Sequence, residues 1–207
     1  MIALDIFADP TCPWCYLAKA QLDRALEARP GHPFLISWHP FQLNPTLPAE
    51  GMDRGAWLRA RFGAQDDQAD LPVLEAARTA GVALNLPIIA RVPNTLNAHR
   101  LLHWAGIEGA QTAVMAGLLR AYWRDGQDIG ETDILVNIAA AAGLEPDMIR
   151  RLLATDADID TIQSRAAHAR ERGIVSVPTF ILDNTHVITG AQPARLWMQI
   201  IDEIAAA

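Results

Sequence analysis

The chain has 207 residues, 51% of them apolar, enough to bury a core as one large domain or two small ones. Against 24 acidic residues stand 17 basic ones, a formal charge of -7; with no Lys/Arg block and no aromatic-basic interleaving, nucleic acid is not an expected partner. No stretch approaches the roughly 18 apolar residues of a membrane span, and the N-terminus lacks a basic segment leading into an apolar one, so a cytoplasmic chain with no membrane partner is expected.

Ile2 to Ala8 is mostly apolar, with branched and aromatic members, and reads as a buried parallel strand. The two cysteines of the chain follow directly, in Cys12-Pro13-Trp14-Cys15. A helix is predicted from Cys12 to about Arg29 on apolar positions 15, 18, 22, 25 and 26, with Pro30-Gly31 ending it. Cys12 then falls at or near the N-cap, Pro13 suits the first helical position, and Cys15 lies one turn in. The unpaired N-H groups and the positive end of the helix dipole favour a thiolate at Cys12, the predicted nucleophile. Cys15 points inward with the apolar face and is the predicted resolving thiol. In a reducing compartment, a lone pair at this spacing is catalytic or metal-binding rather than a structural staple.

Phe34 to Phe41 has strand composition, so a β-α-β unit with a right-handed crossover is expected. Residues 43 to 53, with Asn44, Pro45, Pro48 and Gly51, read as a boundary loop. From 54 to 172 the text is helical. Apolar positions 114, 115, 118, 119 and 122 predict one helix, and 134, 135, 138, 139 and 142 a second, with Thr132 as its cap and Gly143 as its end. Asn94 or Thr95 is placed to cap a helix running to about Ala105, residues 82 to 94 read as a loop, and a further helix runs from about Asp156 to Gly173. The Asp66-Asp67 and Asp156-Asp158-Asp160 clusters read as helix starts, and Arg150-Arg151 and the Arg165 to Arg172 run as solvated helix faces. Val177 to Leu182, a turn at Asp183-Asn184-Thr185, and His186 to Thr189 form a predicted hairpin. A last helix follows Pro193. The order is β-α-β, helices, β-β-α: an α/β fold in which residues 1–46 and 173–207 form one discontinuous domain and 47–172 an all-helical insertion domain.

With Cys12-Pro13-Trp14-Cys15 at the first strand-helix junction and Val177-Pro178-Thr179-Phe180 before the final hairpin, the chain resembles the thioredoxin fold with a helical insertion, as in the DsbA family. Pro40-Phe41-Gln42-Leu43-Asn44-Pro45, Pro93-Asn94-Thr95, Ala98-His99-Arg100-Leu101 and Gly190-Ala191-Gln192-Pro193 are similar to its FrnE-like branch. The resemblance covers essentially the whole chain. It implies a thiol-disulfide oxidoreductase or isomerase that needs no bound cofactor beyond a redox-active Cys12-Cys15 disulfide, with glutathione as a further co-substrate. Its partners would be protein or small-molecule thiols and disulfides. It also implies that Pro178 is a cis-proline facing the sulfurs, leaving the Val177 N-H and C=O to pair with an extended substrate. Pro13, Trp14, Val177 and Pro178 are thus the substrate-binding candidates, and Asn94, Asn97 and His99 candidates for the wall of a groove. One position departs from the pattern. Thioredoxin-like proteins often carry a buried acid six residues before the first cysteine, and here that residue is Ile6. Asp5 reads either as a proton acceptor for Cys15 or as a partner-satisfied strand residue, and Asp9 as a turn or capping residue.

Two rivals accompany this reading. A glutathione-dependent isomerase or transferase of the same fold would not need Cys15. A binding protein could keep the pair as an inert remnant or as a zinc clip, since Cys12 and Cys15 with His99 and His103 have zinc-compatible spacings. The packed side expected for Cys15 and the Pro-Trp between the thiols favour the redox loop, and no metal is expected. His99 and His103 then read as ordinary polar or helix-surface histidines, and Phe41, Trp57, Trp104, Trp123 and Trp197 as packing residues. No oligomer seam is readable.

Overall fold

The structure, a computed structural model, describes residues 1–63 and 68–206. Strand β1 (Ile2–Ala8) is the centre of the sheet. It runs parallel to β2 (Phe34–Pro40) on one side, from Ile2 opposite Phe34 to Ala8 opposite Pro40. On its other side it is antiparallel to β5 (Thr179–Leu182), which pairs in turn with β6 (His186–Thr189), giving the order β2-β1-β5-β6. Period-two alternation fixes the faces: Leu4, Ile6 and Ala8 are fully buried at 0% exposure, whereas Asp5, on the opposite face, is half-buried. The β5-β6 turn uses Asp183 and Asn184 in the left-handed region (φ 50 and 56), where short polar side chains cost least, and is closed by the Thr185 N-H on the Leu182 carbonyl at 3.1 Å.

Two helices tie the ends of the chain together. Helix α1 (Pro13–Ala28) packs on α9 (Ala194–Ala206). Trp197 of α9, fully buried, sets its ring 4.7 Å from Phe180 in β5 and 6.5 Å from Phe34 in β2. A side chain of that size, so enclosed, contributes about 3 to 5 kcal/mol relative to alanine.

Between β2 and β5 lie α2 (Arg54–Phe62), α3 (Leu71–Ala80), α4 (Leu96–Ile107), α5 (Gln111–Trp123), α6 (Thr132–Ala141), α7 (Pro146–Leu153) and α8 (Ile159–Glu171). Several expectations need correction. Glu131, not Thr132, is the N-cap of α6, and no side chain caps it; Gly143 (φ 89) does end it. At α4 the N-cap residue is Thr95, whose hydroxyl is turned to Asp9 and caps nothing, while Asn94 Oδ1, one residue earlier, accepts the Leu96 N-H at 3.0 Å. The 82–94 loop contains a 3-10 turn at Leu86–Ile88 and a two-residue strand, β4 (Arg91–Val92), antiparallel to β3 (Met52–Asp53). Strands this short carry no period. Asp158 is the N-cap of α8, so that acidic cluster does begin a helix, whereas Asp66 and Asp67 lie outside the described residues.

Helix α4 is buried almost all round. Arg100 is 1% exposed and spends its guanidinium on the carbonyls of Leu152, Thr155 and Ala157 and on Asn97 Oδ1, at 2.6 to 2.8 Å, thereby satisfying carbonyls left open at the C-terminal end of α7 and beyond. One apolar cluster runs from Leu4 and Ile6 in the sheet through Leu101 of α4 and Leu118 of α5 to Ile149 of α7. Among the described residues no helix is long and apolar enough to cross a membrane.

Candidate active site

Cys12 is the N-cap of α1, in extended conformation (φ -87, ψ 116), and Pro13 opens the helix. The Cys12 carbonyl takes the Cys15 N-H at 3.0 Å and the Tyr16 N-H at 3.3 Å, which makes the first turn and brings the two thiols to one end of the helix. No acidic side chain stands in that first turn, at the positive end of the helix dipole. Both cysteines are free thiols, 3% and 1% exposed. The Cys12 thiol donates to the Val177 carbonyl at 3.5 Å, joining sites far apart in sequence, and the Val177-Pro178 peptide bond is cis. Burial pushes the Cys15 thiol well above its ordinary pKa; its hydrogen bond with Cys12, the charge on Cys12 and the Asp9 carboxylate act in the same direction, against a backbone hydrogen bond from Asp9.

In front of Cys12 lies a groove of about 470 Å³. Cys12, Pro13 and Trp14 border it on one side, Val175, Ser176 and Val177 on another, and Trp57 and Phe62 of α2 with Trp123 of α5 complete aromatic walls. Trp14 is 38% exposed and Val175 85%. Trp57 is only partly buried: its indole N-H is held by Asn44 Oδ1 at 3.3 Å, and Arg61 stacks over its ring at 5.7 Å. Expected as packing residues, Trp57 and Trp123 therefore also form the walls of the groove, and Cys15 does not reach it.

Behind the cysteines the chemistry is polar and closed. Asp9 is 1% exposed, yet both carboxylate oxygens are occupied. Oδ1 accepts the Thr11 N-H and hydroxyl, both at 2.8 Å, and Oδ2 accepts the Leu43 N-H at 2.7 Å and the Thr95 hydroxyl at 3.2 Å. Asp9 is a turn residue, as expected, since its carbonyl takes the Cys12 N-H at 2.9 Å. It is also the buried anchor of three chain segments, which the sequence reading missed. One turn beyond Thr95, His99 is 2% exposed, not a surface histidine, and its Nε2 has no hydrogen-bond partner. Burial lowers its pKa and the Asp9 carboxylate opposes that.

The remaining candidates fall elsewhere. Asn94 binds the Leu47 carbonyl at 2.7 Å, Asn97 binds Arg100, and both border a separate surface hollow of about 270 Å³, so neither lines the thiol groove, and neither does His99. Asp5 is satisfied by His39 Nε2 at 2.7 Å, the second of its two readings. His103 turns to Asp158 (3.7 Å) and Arg165 (3.2 Å), and among the described residues no three His, Cys, Asp or Glu side chains are grouped to hold a metal. Arg170 is not simply solvated: it lies 4.5 Å over the Phe41 ring and donates to the Gln42 and Ala166 carbonyls.

The sequence pattern of the DSBA-like thioredoxin domain matches residues 3–201. The Bacillus subtilis protein YwbO is 27% identical over 203 residues, 98% of this chain and 96% of its own length. A crystal structure of a probable DsbA oxidoreductase from Streptomyces coelicolor superposes with a TM-score of 0.84 at 28% identity, covering 100% of this chain and 91% of that one. The cytosolic disulfide reductase DsbM from Pseudomonas aeruginosa, solved with GSH, shares the fold at 19% identity with a TM-score of 0.73, over 99% of this chain and 100% of its own.

Proposed function

This chain belongs to the DSBA-like thioredoxin domain family and is a thiol-disulfide oxidoreductase, and we propose that it works by two-cysteine exchange, with Cys12 as nucleophile and Cys15 as resolving thiol. The observation that carries the assignment is the separation of the sulfurs: Cys12 borders the groove at the helix N-terminus, while Cys15 stands behind it with its proton held by burial. The Cys12 thiolate attacks a substrate disulfide, forming a mixed disulfide and expelling one substrate thiolate. Cys15 then loses its proton and attacks the Cys12 sulfur; the Cys12-Cys15 bond forms, the second substrate thiolate leaves, and two electrons have passed from the dithiol to the substrate. Run backwards, the same steps oxidise a substrate dithiol. The Val177-Pro178 segment, held at Cys12 by the 3.5 Å contact, is placed to pair with substrate backbone, and Trp14 and Pro13 to contact its side chains.

Glutathione is a fitting co-substrate, since it is a small peptide thiol and the groove of about 470 Å³ is of ligand size. The GSH-bound fold relative DsbM supports that choice, and as a cytosolic protein it agrees with a cytoplasmic setting for this one. A chain trap tests the assignment. Cys12→Ser is expected to lose disulfide exchange entirely, and Cys15→Ser to accumulate a mixed disulfide with peptide or glutathione, visible by mass spectrometry. Unchanged turnover in Cys12→Ser would refute it.

A further inference from the structure

The segment before β5 presents backbone to the groove, and its polar groups can be followed one by one. The Val177 carbonyl takes the Cys12 thiol at 3.5 Å, and the Pro178 carbonyl takes the Gly190 N-H at 2.8 Å. The Ser176 carbonyl takes the Thr179 hydroxyl at 2.7 Å. Pro178 has no N-H, and among the described residues the Val177 N-H has no hydrogen-bond partner.

Thr179 decides where that N-H points. The Ser176 carbonyl and the Val177 N-H belong to one peptide unit, which is planar and trans, so the two groups point in opposite directions. The carbonyl is turned to Thr179, which is 3% exposed and does not border the groove, whereas Ser176 and Val177 do. The N-H is therefore directed away from Thr179, toward the groove. The anchor is rigid: Thr179 opens β5, opposite Phe7 of β1 on one side and Thr189 of β6 on the other, and the next residue, Phe180, is packed against Trp197.

We propose that Thr179 is a positioning residue of the substrate site: by holding the Ser176 carbonyl inward, its hydroxyl aims the Val177 N-H at a backbone carbonyl of a peptide disulfide. The proposal rests on the reading that Val177 pairs with substrate backbone. In the thiolate and in the mixed disulfide Cys12 carries no proton, so the Val177 carbonyl, engaged by the thiol in the reduced protein, becomes open to a substrate N-H. Val177 then offers one donor and one acceptor, as a residue at a sheet edge does. The substrate class this favours is a disulfide in an extended peptide rather than one without backbone amides.

The test compares Thr179→Val, which keeps the shape of the side chain without its hydroxyl, with Thr179→Ser, which keeps the hydroxyl. Prereduced protein is reacted in single turnover with a short peptide disulfide and with a chromogenic aryl disulfide that has no backbone amides, and the half-saturating concentration is read for each. In Thr179→Val the ratio of the peptide value to the aryl value is expected to rise about 3- to 10-fold, the loss of one aligned hydrogen bond, with the limiting rate for the peptide little changed. Thr179→Ser restores the wild-type ratio. An unchanged ratio in Thr179→Val, whether neither value moves or both move together, or a serine variant that behaves like the valine one, would overturn the positioning role. A second measurement leaves Thr179 in place: with a peptide held on Cys12 as a mixed disulfide in Cys15→Ser, the Val177 amide is expected to exchange with deuterium at least about tenfold more slowly than without substrate, read by NMR. Equal exchange would overturn the direction assigned to the N-H. A wild-type protein that half-saturates at the same concentration of the peptide disulfide and of an analogue with esters in place of the flanking amides would instead overturn the backbone pairing on which the proposal rests.

Discussion

The two sides of the Cys12-Cys15 pair are built from different materials. In front of Cys12 the groove is wide and largely aromatic, with Trp14 and Val175 in solvent and the Arg54-Asp70 ion pair on its wall. Behind Cys15, Asp9, Thr95 and His99 are buried at 1 to 3% exposure, and both oxygens of the central carboxylate are filled. The sulfurs are one helical turn apart, so the helix alone cannot give them distinct roles. Their surroundings do: an adaptable wall suits varied partners, and a closed polar layer holds one thiol protonated until it is needed.

The largest effect is expected from removing the carboxylate at the back. Asp9→Leu strands the Thr11 and Leu43 N-H groups and two hydroxyls without an acceptor. Each unsatisfied buried donor costs about 1 to 3 kcal/mol, so a loss of about 3 kcal/mol or more in urea unfolding is expected. Trp14→Ala, on the exposed side, should cost far less. If the two variants melted together, the contrast between the sides would be wrong.

Next in size is chemical selectivity. Cys12 borders the groove, whereas burial, Cys12 and the Asp9 carboxylate all hold Cys15 as the thiol. Brief alkylation of the reduced native protein at neutral pH is therefore expected to label Cys12 at least about tenfold faster than Cys15, read by peptide mass spectrometry. Comparable rates would remove the assignment of roles. In Asp9→Asn the gap should shrink, because one of the influences raising the Cys15 pKa is gone.

The two sides also differ in how far the sequence reveals them. Cys12, Pro13 and Cys15 are local, and a strand followed by a capped helix positions them in any context; β1, β2 and the hairpin were readable from composition for the same reason. The back layer joins residues from the β1-α1 turn, the segment after β2 and α4. Asp9 has the appearance of a turn residue because it is one, and nothing local shows that Leu43 and Thr95 also reach it. His99 left a trace: with Thr95 and Leu102 it falls on one face of α4 by three- and four-residue spacing. That trace was masked because α4 is enclosed on several sides, even at Arg100, so no polar face stands out against an apolar one. Trp57 was hidden differently. A tryptophan at helical spacing reads as core, and only the assembled groove shows it half open.

On the open side the effects should be moderate and confined to binding. Trp57→Ala and Trp14→Ala each remove an aromatic wall worth about 1 kcal/mol, so KM for a peptide disulfide is expected to rise about fivefold with kcat little changed. A fall in kcat with unchanged KM would mean that these rings act on the sulfur chemistry and not on the substrate. Arg61→Ala, which unstacks Trp57, should give a smaller change in the same direction.

The smallest expected effect is in the pH dependence of stability, and it reports on the closed side alone. Burial holds the folded pKa of His99 below its ordinary value of about 6.5, with Asp9 opposing. Between the folded and unfolded values the unfolded chain binds a proton that the folded chain does not, so stability rises with pH across that interval. The contribution is fully present above about pH 6.5 and is lost as pH falls below it, with a slope of at most about 1.4 kcal/mol per pH unit for one proton. His99→Gln carries no such proton. Its unfolding midpoint in urea should thus gain on the wild-type midpoint as pH is lowered from about 7.5 to about 5, whatever the two values are at neutral pH. Parallel curves would mean that the imidazole is already free to charge in the folded protein, and the layer behind Cys15 would then be as accessible to water as the groove in front of Cys12.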